Sequence, residues 1–247
     1  MKTHTSPAII MRIKEFGESD LLVTFFTPDQ GRLKGVAKGA RKSRKRFVNC
    51  LDSFSLVDLG YSEKREGDLS FLHSGKLIDA YPGLRSDFGA MARAGYMVEL
   101  VEILFPWGVA DREMFELLKK SLASMAKGEK VDLILIIFEL GAMVLGGYGI
   151  NFDRCCICER PYKGEGRAVF KREKGRIACL KCQNESALCP GLNPETVRII
   201  KLIQSSPVAF LRELSLKEDI VSEIKPLLKL HREYHIERKL KTARYVE

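Results

Sequence analysis

The stretch LLVTFFTPDQGRLKGVAKGARKSRKRFVNC, residues 21–50, decides how the chain is read. Leu21 to Thr27 is an apolar run rich in Val, Thr and Phe, closed by Pro28-Asp29 and Gly31. That pattern marks a strand ending in a turn. Arg32 to Ala37 then alternates basic and apolar residues, the period of a second strand, and forms a hairpin with the first. Eight Lys or Arg fall between Arg32 and Arg46 with no acid among them. Gly35 and Gly39 interrupt the run and are expected to keep it flexible. A cationic loop carried by a small sheet is an electrostatic receptor for a polyanion.

The charge of the whole chain agrees. Residues 1–48 hold eleven Lys/Arg and four Asp/Glu, a net +7 of the +9 carried by 247 residues. A solvated face is the ordinary explanation of a charge run. Eight cations in fifteen residues, interleaved with glycine, reverse that preference.

Around this stretch, Pro7–Phe16, residues 51–62 and Leu69–Asp79 read as further strands, with KREGD at 64–68 as a turn. Five strands within residues 1–80 fit a small closed barrel of the OB type, since closure protects the edges. Such barrels bind single strands by tracking the backbone with cations and stacking bases on aromatics. Phe25, Phe26, Phe47 and Phe54 are the aromatics at hand. Adjacent strand residues face opposite ways, so at most one of Phe25 and Phe26 faces the core side. Core packing is the ordinary role of each; Phe47, which ends the basic run, is the stacking candidate. Arg32, Lys34, Lys38, Arg41, Lys42, Arg44, Lys45, Arg46 and Phe47 are the candidate nucleic-acid contacts.

Residues 81–247 read as a helical domain. Apolar residues recur at helical spacing from Leu84 to Leu104, and Asp111 is placed to cap a helix over 112–127. Asp132 is expected to cap a third helix, apolar nearly all round and ended by GGYG at 146–149. Asn193-Pro194 opens a helix over 194–204, and another is expected over 217–241, broken near Pro226. Inserted between them, residues 151–192 carry Cys155-x2-Cys158 and Cys179-x2-Cys182, twenty residues apart. Each CxxC brings two thiolates to one tetrahedral ion, and four close its coordination sphere, so one structural Zn2+ is expected. A redox pair needs no duplicate. Cys156 and Cys189 are spares, Cys50 reads as a small buried residue, and Glu159 and Gln183 stand where glycine often follows such a pair.

Seven cysteines, four in CxxC pairs, with no secretory signal, imply a reducing cytoplasm. The most apolar stretch, Leu133 to Phe138, falls far short of the roughly 20 residues that cross a membrane. There is no GxxxxGK[ST], HExxH or GxSxG, so no catalytic residues are expected. His231 and His235 lie four apart, and an exposed helix surface explains them better than a metal pair.

GESD at 17–20, VAKGARKSRKRF at 36–47, YPGLRSD at 81–87, GYGINFDRCCIC at 147–158 and IERKLKTARY at 236–245 resemble, in order, the RecO family of bacterial recombination mediators. The resemblance implies an α+β multidomain protein: an N-terminal five-stranded OB barrel, then a helical domain with an inserted four-cysteine zinc module. It implies binding of single- and double-stranded DNA and annealing of complementary strands. It further implies the partners RecR and SSB, loading of RecA, and a cytoplasmic, nucleoid-associated location. Cys155, Cys158, Cys179 and Cys182 match the family's zinc positions; Lys38, Arg41, Lys42, Arg44, Lys45 and Arg46 match its basic loop. The alternative class is an RNA- or ribosome-associated module with the same barrel and zinc ribbon; a third is a protein-interaction scaffold without nucleic-acid binding.

Overall fold

The computed structural model describes residues 3–62, 69–128, 130–210, 215–236 and 240–245. The expected turn at 64–68 lies outside the described residues, as do residues 237–239 of the expected last helix. By packing, the chain divides into two compact units, residues 1–129 with 242–247, and residues 130–241.

In the first unit, β1 (Thr3–Phe16), β2 (Asp20–Thr27), β3 (Gly31–Ala37), β4 (Leu56–Ser62) and β5 (Leu69–Asp79) form a closed barrel in the order β1-β2-β3-β5-β4. All pairs are antiparallel except β3 with β5, and β4 returns to β1. Ala8, Ile10, Val23, Phe25, Ala37, Val57, Leu59, Tyr61 and Leu72 fill the interior. A register shift in β1 between Ile10 and Arg12 changes the alternation, so Ile10 and Ile13 both pack on the core. Gly35 is not a flexible joint. A Cβ there would stand 2.8 Å from the Leu72 side chain and 3.1 Å from the Ser70 carbonyl oxygen, so glycine is what lets β3 and β5 pair.

Phe25 points inward and meets Tyr61 edge-on at 5.3 Å. Its neighbour Phe26 points outward and is covered by Phe115, 6.3 Å away. That cover comes from α1 (Pro82–Ser86), α2 (Phe88–Leu104) and α3 (Arg112–Met125). Asp87 caps α2 by accepting from the Gly89 and Ala90 N–H groups, and Asp111 caps α3 by accepting from Met114 N–H. Arg12 grips Glu102 in a bidentate pair, and Arg112 meets Asp29 at 3.0 Å. The packing boundary falls at 129/130, because an apolar outer face on β2 requires helices over it. The Glu99 carboxylate accepts from both the backbone N–H and the hydroxyl of Thr242, which ties residues 242–245 to this unit.

The second unit contains α4 (Val131–Leu145), β6 (Asn151–Cys155), β7 (Ala168–Lys171), β8 (Arg176–Cys179), β9 (Gly191–Leu192), α5 (Pro194–Ser205), α6 (Pro207–Phe210) and α7 (Glu218–His235). Its sheet runs β6-β8-β7-β9. Ile136, Ile137 and Leu140 of α4 pack with Phe152, Phe170 and Ile177 of the sheet and with Ile200, Ile203, Ile224 and Leu227 of the later helices. Asp132 is not the cap of α4: Lys130 holds that position at φ 50°, and Asp132 sits in the first turn, 3.1 Å from Lys225. Helix α7 runs through Pro226 without breaking. Pro226 and Ser222, the residue whose carbonyl it leaves without a backbone donor, are both exposed. No helix among the described residues is long and apolar enough to cross a membrane.

Candidate nucleic-acid interface and metal centre

After β3 the chain makes one 3-10 turn, Ala40–Lys42, entered through Gly39 at φ 64°. The Gly39 N–H donates to Asp20 Oδ1 at 2.8 Å, and the Arg41 N–H to the Ser19 carbonyl at 3.1 Å. Further on, the Gly75 N–H of β5 donates to the Arg46 carbonyl at 2.7 Å, and Arg46 Nη2 donates back to the Lys38 carbonyl at 2.6 Å. Ala40, Phe47, Cys50 and Leu51 turn inward and join the barrel core. The loop is thus anchored by its apolar residues and its backbone, and Lys38, Arg41, Lys42, Arg44, Lys45 and Arg46 are left exposed. Arg41 pairs with Glu15 at 3.2 Å, an exposed pair that salt screens. Lys38 lies over the Phe71 ring at 5.6 Å. Lys42, Arg44 and Lys45 have no acidic partner among the described residues.

Two of the nine expected contacts are corrected. Phe47 is 5% exposed and belongs to the barrel core, so it is no stacking surface; Phe25, Phe26 and Phe54 are buried too. Arg32 is 7% exposed. It leaves β3 on the outer face, as the alternation requires, but the segment after α2 covers it. Its Nη1 donates to the Glu102 carbonyl, and its guanidinium lies 4.0 Å from the centroid of the Trp107 ring. Lys34, on the same face, is half-buried. Trp107 is 53% exposed; nothing in the sequence signals it, since it sits in a helix break that demands no aromatic.

In the second unit the four expected ligands converge. The Sγ atoms of Cys155, Cys158, Cys179 and Cys182 all lie within 4.8 Å of one another. Strands β6 and β8 end on Cys155 and Cys179, and each CxxC turn returns its second sulfur to the same point. Cys158 and Cys179 sulfurs are 3.9 Å apart, close to the ~3.8 Å edge of a tetrahedron with bonds of about 2.3 Å. The Cys179 N–H donates to Cys155 Sγ at 3.3 Å. Burial pushes the Cys155 thiol up, but the N–H groups of Cys158, Cys179 and Ile157 outweigh it and hold it at about 6. Hydrogen bonding to Cys179 and Cys158 pushes Cys182 up to about 12. Four sulfurs in one volume compete for charge unless a cation sits among them, and this set can hold one metal ion. Cys156 turns its N–H to the Ile177 carbonyl, Cys189 lies 3.7 Å from Lys171 Nζ, and neither joins the cluster.

Comparison with known families places both halves together. The profile described as Recombination protein O N terminal matches residues 1–81, and that described as Recombination protein O C terminal matches residues 85–244. The chain belongs to the RecO family. Among similar RecO proteins, the DNA repair protein RecO of Desulfatibacillum aliphaticivorans is 32% identical over 98% of this chain and 96% of its own. That of Syntrophus aciditrophicus is 34% identical over 81% of this chain and 77% of its own. That of Anaeromyxobacter sp. strain K is 30% identical over 97% and 94%. RecO is thus a family of DNA repair and recombination proteins, and an exposed cationic loop on a closed barrel agrees with that role.

The histidine pair of this RecO chain is not an exposed surface. His231 is 1% exposed, its Nε2 donates to the Tyr148 carbonyl at 2.6 Å, and its ring lies 4.6 Å from that of His235. Burial pushes His231 down to about 4. No third metal-ligating side chain joins them among the described residues.

Proposed function

We propose that this chain is a non-catalytic, DNA-binding recombination mediator. It binds single- and double-stranded DNA, anneals complementary strands and, with RecR, helps replace SSB by RecA in the cytoplasm. The observation that carries the reading is the exposed run Lys38–Arg46 on an OB-type barrel, with Lys42, Arg44 and Lys45 unpaired among the described residues. Cations held by backbone anchors neutralise phosphates on both strands. Their mutual repulsion falls, and base pairing drives the annealing. No group in this account makes or breaks a covalent bond. The four-sulfur cluster holds Zn2+, a closed structural ion that fastens β6 to β8.

Each phosphate contacted on a single strand contributes about 0.7 to the salt slope. Lys38, Lys42, Arg44 and Lys45 together give a slope of about −3 in log Kobs against log salt. Replacing Lys42, Arg44 and Lys45 by Ala lowers it to about −1, weakens binding to all sequences alike, and slows annealing of SSB-coated complementary strands. An unchanged slope and an unchanged annealing rate in that variant would remove the loop from the interface. Metal analysis of the purified protein, with Cys179→Ser as control, checks the zinc.

A further inference from the structure

We propose that Trp107 is a nucleobase-stacking platform, reached by a single strand that runs from the cationic loop along the outer face of β3. The inference rests on the nucleic-acid reading above and adds the group that distinguishes single strands from duplex.

Trp107 is a large exposed aromatic held in a fixed position. Arg32 lies beneath one face of its ring at 4.0 Å. Its backbone forms a parallel bridge with Arg32, and the next residue, Gly108, donates its N–H to the Arg32 carbonyl at 2.9 Å. The ring is therefore fastened to the first turn of β3, and at 53% exposure it still offers an open face. A guanidinium below the ring attracts its π-electrons and leaves the upper face for stacking. Every base has a π-face, so such a platform accepts any sequence once the base is unpaired.

Its position suits a strand that begins at the loop. On β3, Leu33 and Ala37 pack on the barrel core, while Arg32, Lys34 and Val36 alternate with them on the outer face. The loop starts at Lys38, at one end of β3, and Arg32 with Trp107 marks the other, about 20 Å away at the usual strand rise. Half-buried Lys34 lies between, a cation on the same face. The path thus runs over a cation cluster, a single cation and then a stacking surface. A protein partner is the less suitable occupant, since the side chain between the loop and Trp107 that reaches solvent is the cation Lys34.

Trp107 is the only tryptophan, so its fluorescence reports this one site. Oligothymidylate should quench it saturably, in step with binding followed by anisotropy, and a duplex of equal length should not. Trp107→Ala should weaken single-strand binding about 5- to 150-fold, the equivalent of one stacked base, with the salt slope unchanged. Trp107→Phe, which keeps a ring and controls for folding, should retain most of the affinity. The triple-alanine loop variant should still be quenched at low salt. Normal salt-dependent binding with static fluorescence, and a Trp107→Ala variant that binds like the parent, would overturn the inference while leaving the proposed function intact. A signal that moves only with a protein partner would overturn it as well. Absence of any oligonucleotide binding would sink both.

Discussion

Glu159 follows the second cysteine of the first CxxC at φ 53°, in the left-handed region where glycine is the usual occupant. Its carboxylate meets Arg176 at 3.1 Å on the surface, a contact of small value. Glu159→Gly should raise the stability of residues 130–241 by about 0.5–1 kcal/mol in urea, because relief of the left-handed backbone exceeds the lost surface pair. His231 makes the opposite kind of prediction. Its folded value of about 4 lies below the ordinary 6.5, so the unfolded chain binds the proton first. The stability that neutral His231 contributes is complete above pH 6.5 and drains away as pH falls to 4, by about 3 kcal/mol. Urea titrations across that window should show the loss in the parent and a smaller one in His231→Leu. At this scale the sequence was only partly legible. The four cysteines could be named because two CxxC pairs at this separation suit one four-sulfur site, and their sulfurs do converge. Phe47 and Arg32 were misplaced because their covers, the barrel interior and the segment around Trp107, come from elsewhere in the chain.

Helix α5 shows what holds the second unit's elements in register. Asn193 occupies the N-cap position but makes no capping bond with its side chain. Glu223 of α7 supplies the acceptor. Its carboxylate accepts from Asn193 N–H at 2.8 Å, Asn193 Nδ2 at 2.7 Å, Thr196 Oγ1 at 2.6 Å and Arg167 Nη1 at 3.1 Å. Arg167 in turn reaches Glu185, three residues beyond Cys182. One carboxylate thus joins two helices and the cysteine module. Glu223→Ala leaves four donors without it and should cost about 2–4 kcal/mol in chemical denaturation, with Glu223→Gln costing less. Helix and strand identities were legible because alternation and capping are local: Leu69–Asp79 and the Asp111 cap stand where the sequence placed them. The β1 register shift, the unbroken course of α7 and the borrowed cap of α5 were not, since each depends on a partner distant in sequence.

For the whole molecule, the division into units predicts how metal removal is felt. A chelator that strips the cysteine cluster should lower the stability of residues 130–241 by several kcal/mol, seen as lost hydrogen-exchange protection in β6, β7 and β8. Protection in the barrel, and the salt slope of the loop, should be unchanged. The order of domains was legible, because the period of the pattern changes near residue 81; the packing boundary was not, because the need for α2 and α3 arises on the outer face of a barrel that only the closed fold defines. The return of Thr242 to Glu99 has a consequence for synthesis. A nascent chain presents the barrel and its helices first, yet the acceptor at Glu99 waits while more than a hundred further residues are translated. The first unit to emerge from the ribosome is therefore among the last to be finished, and a ribosome stalled before residue 242 would display a barrel able to fold but without its clasp.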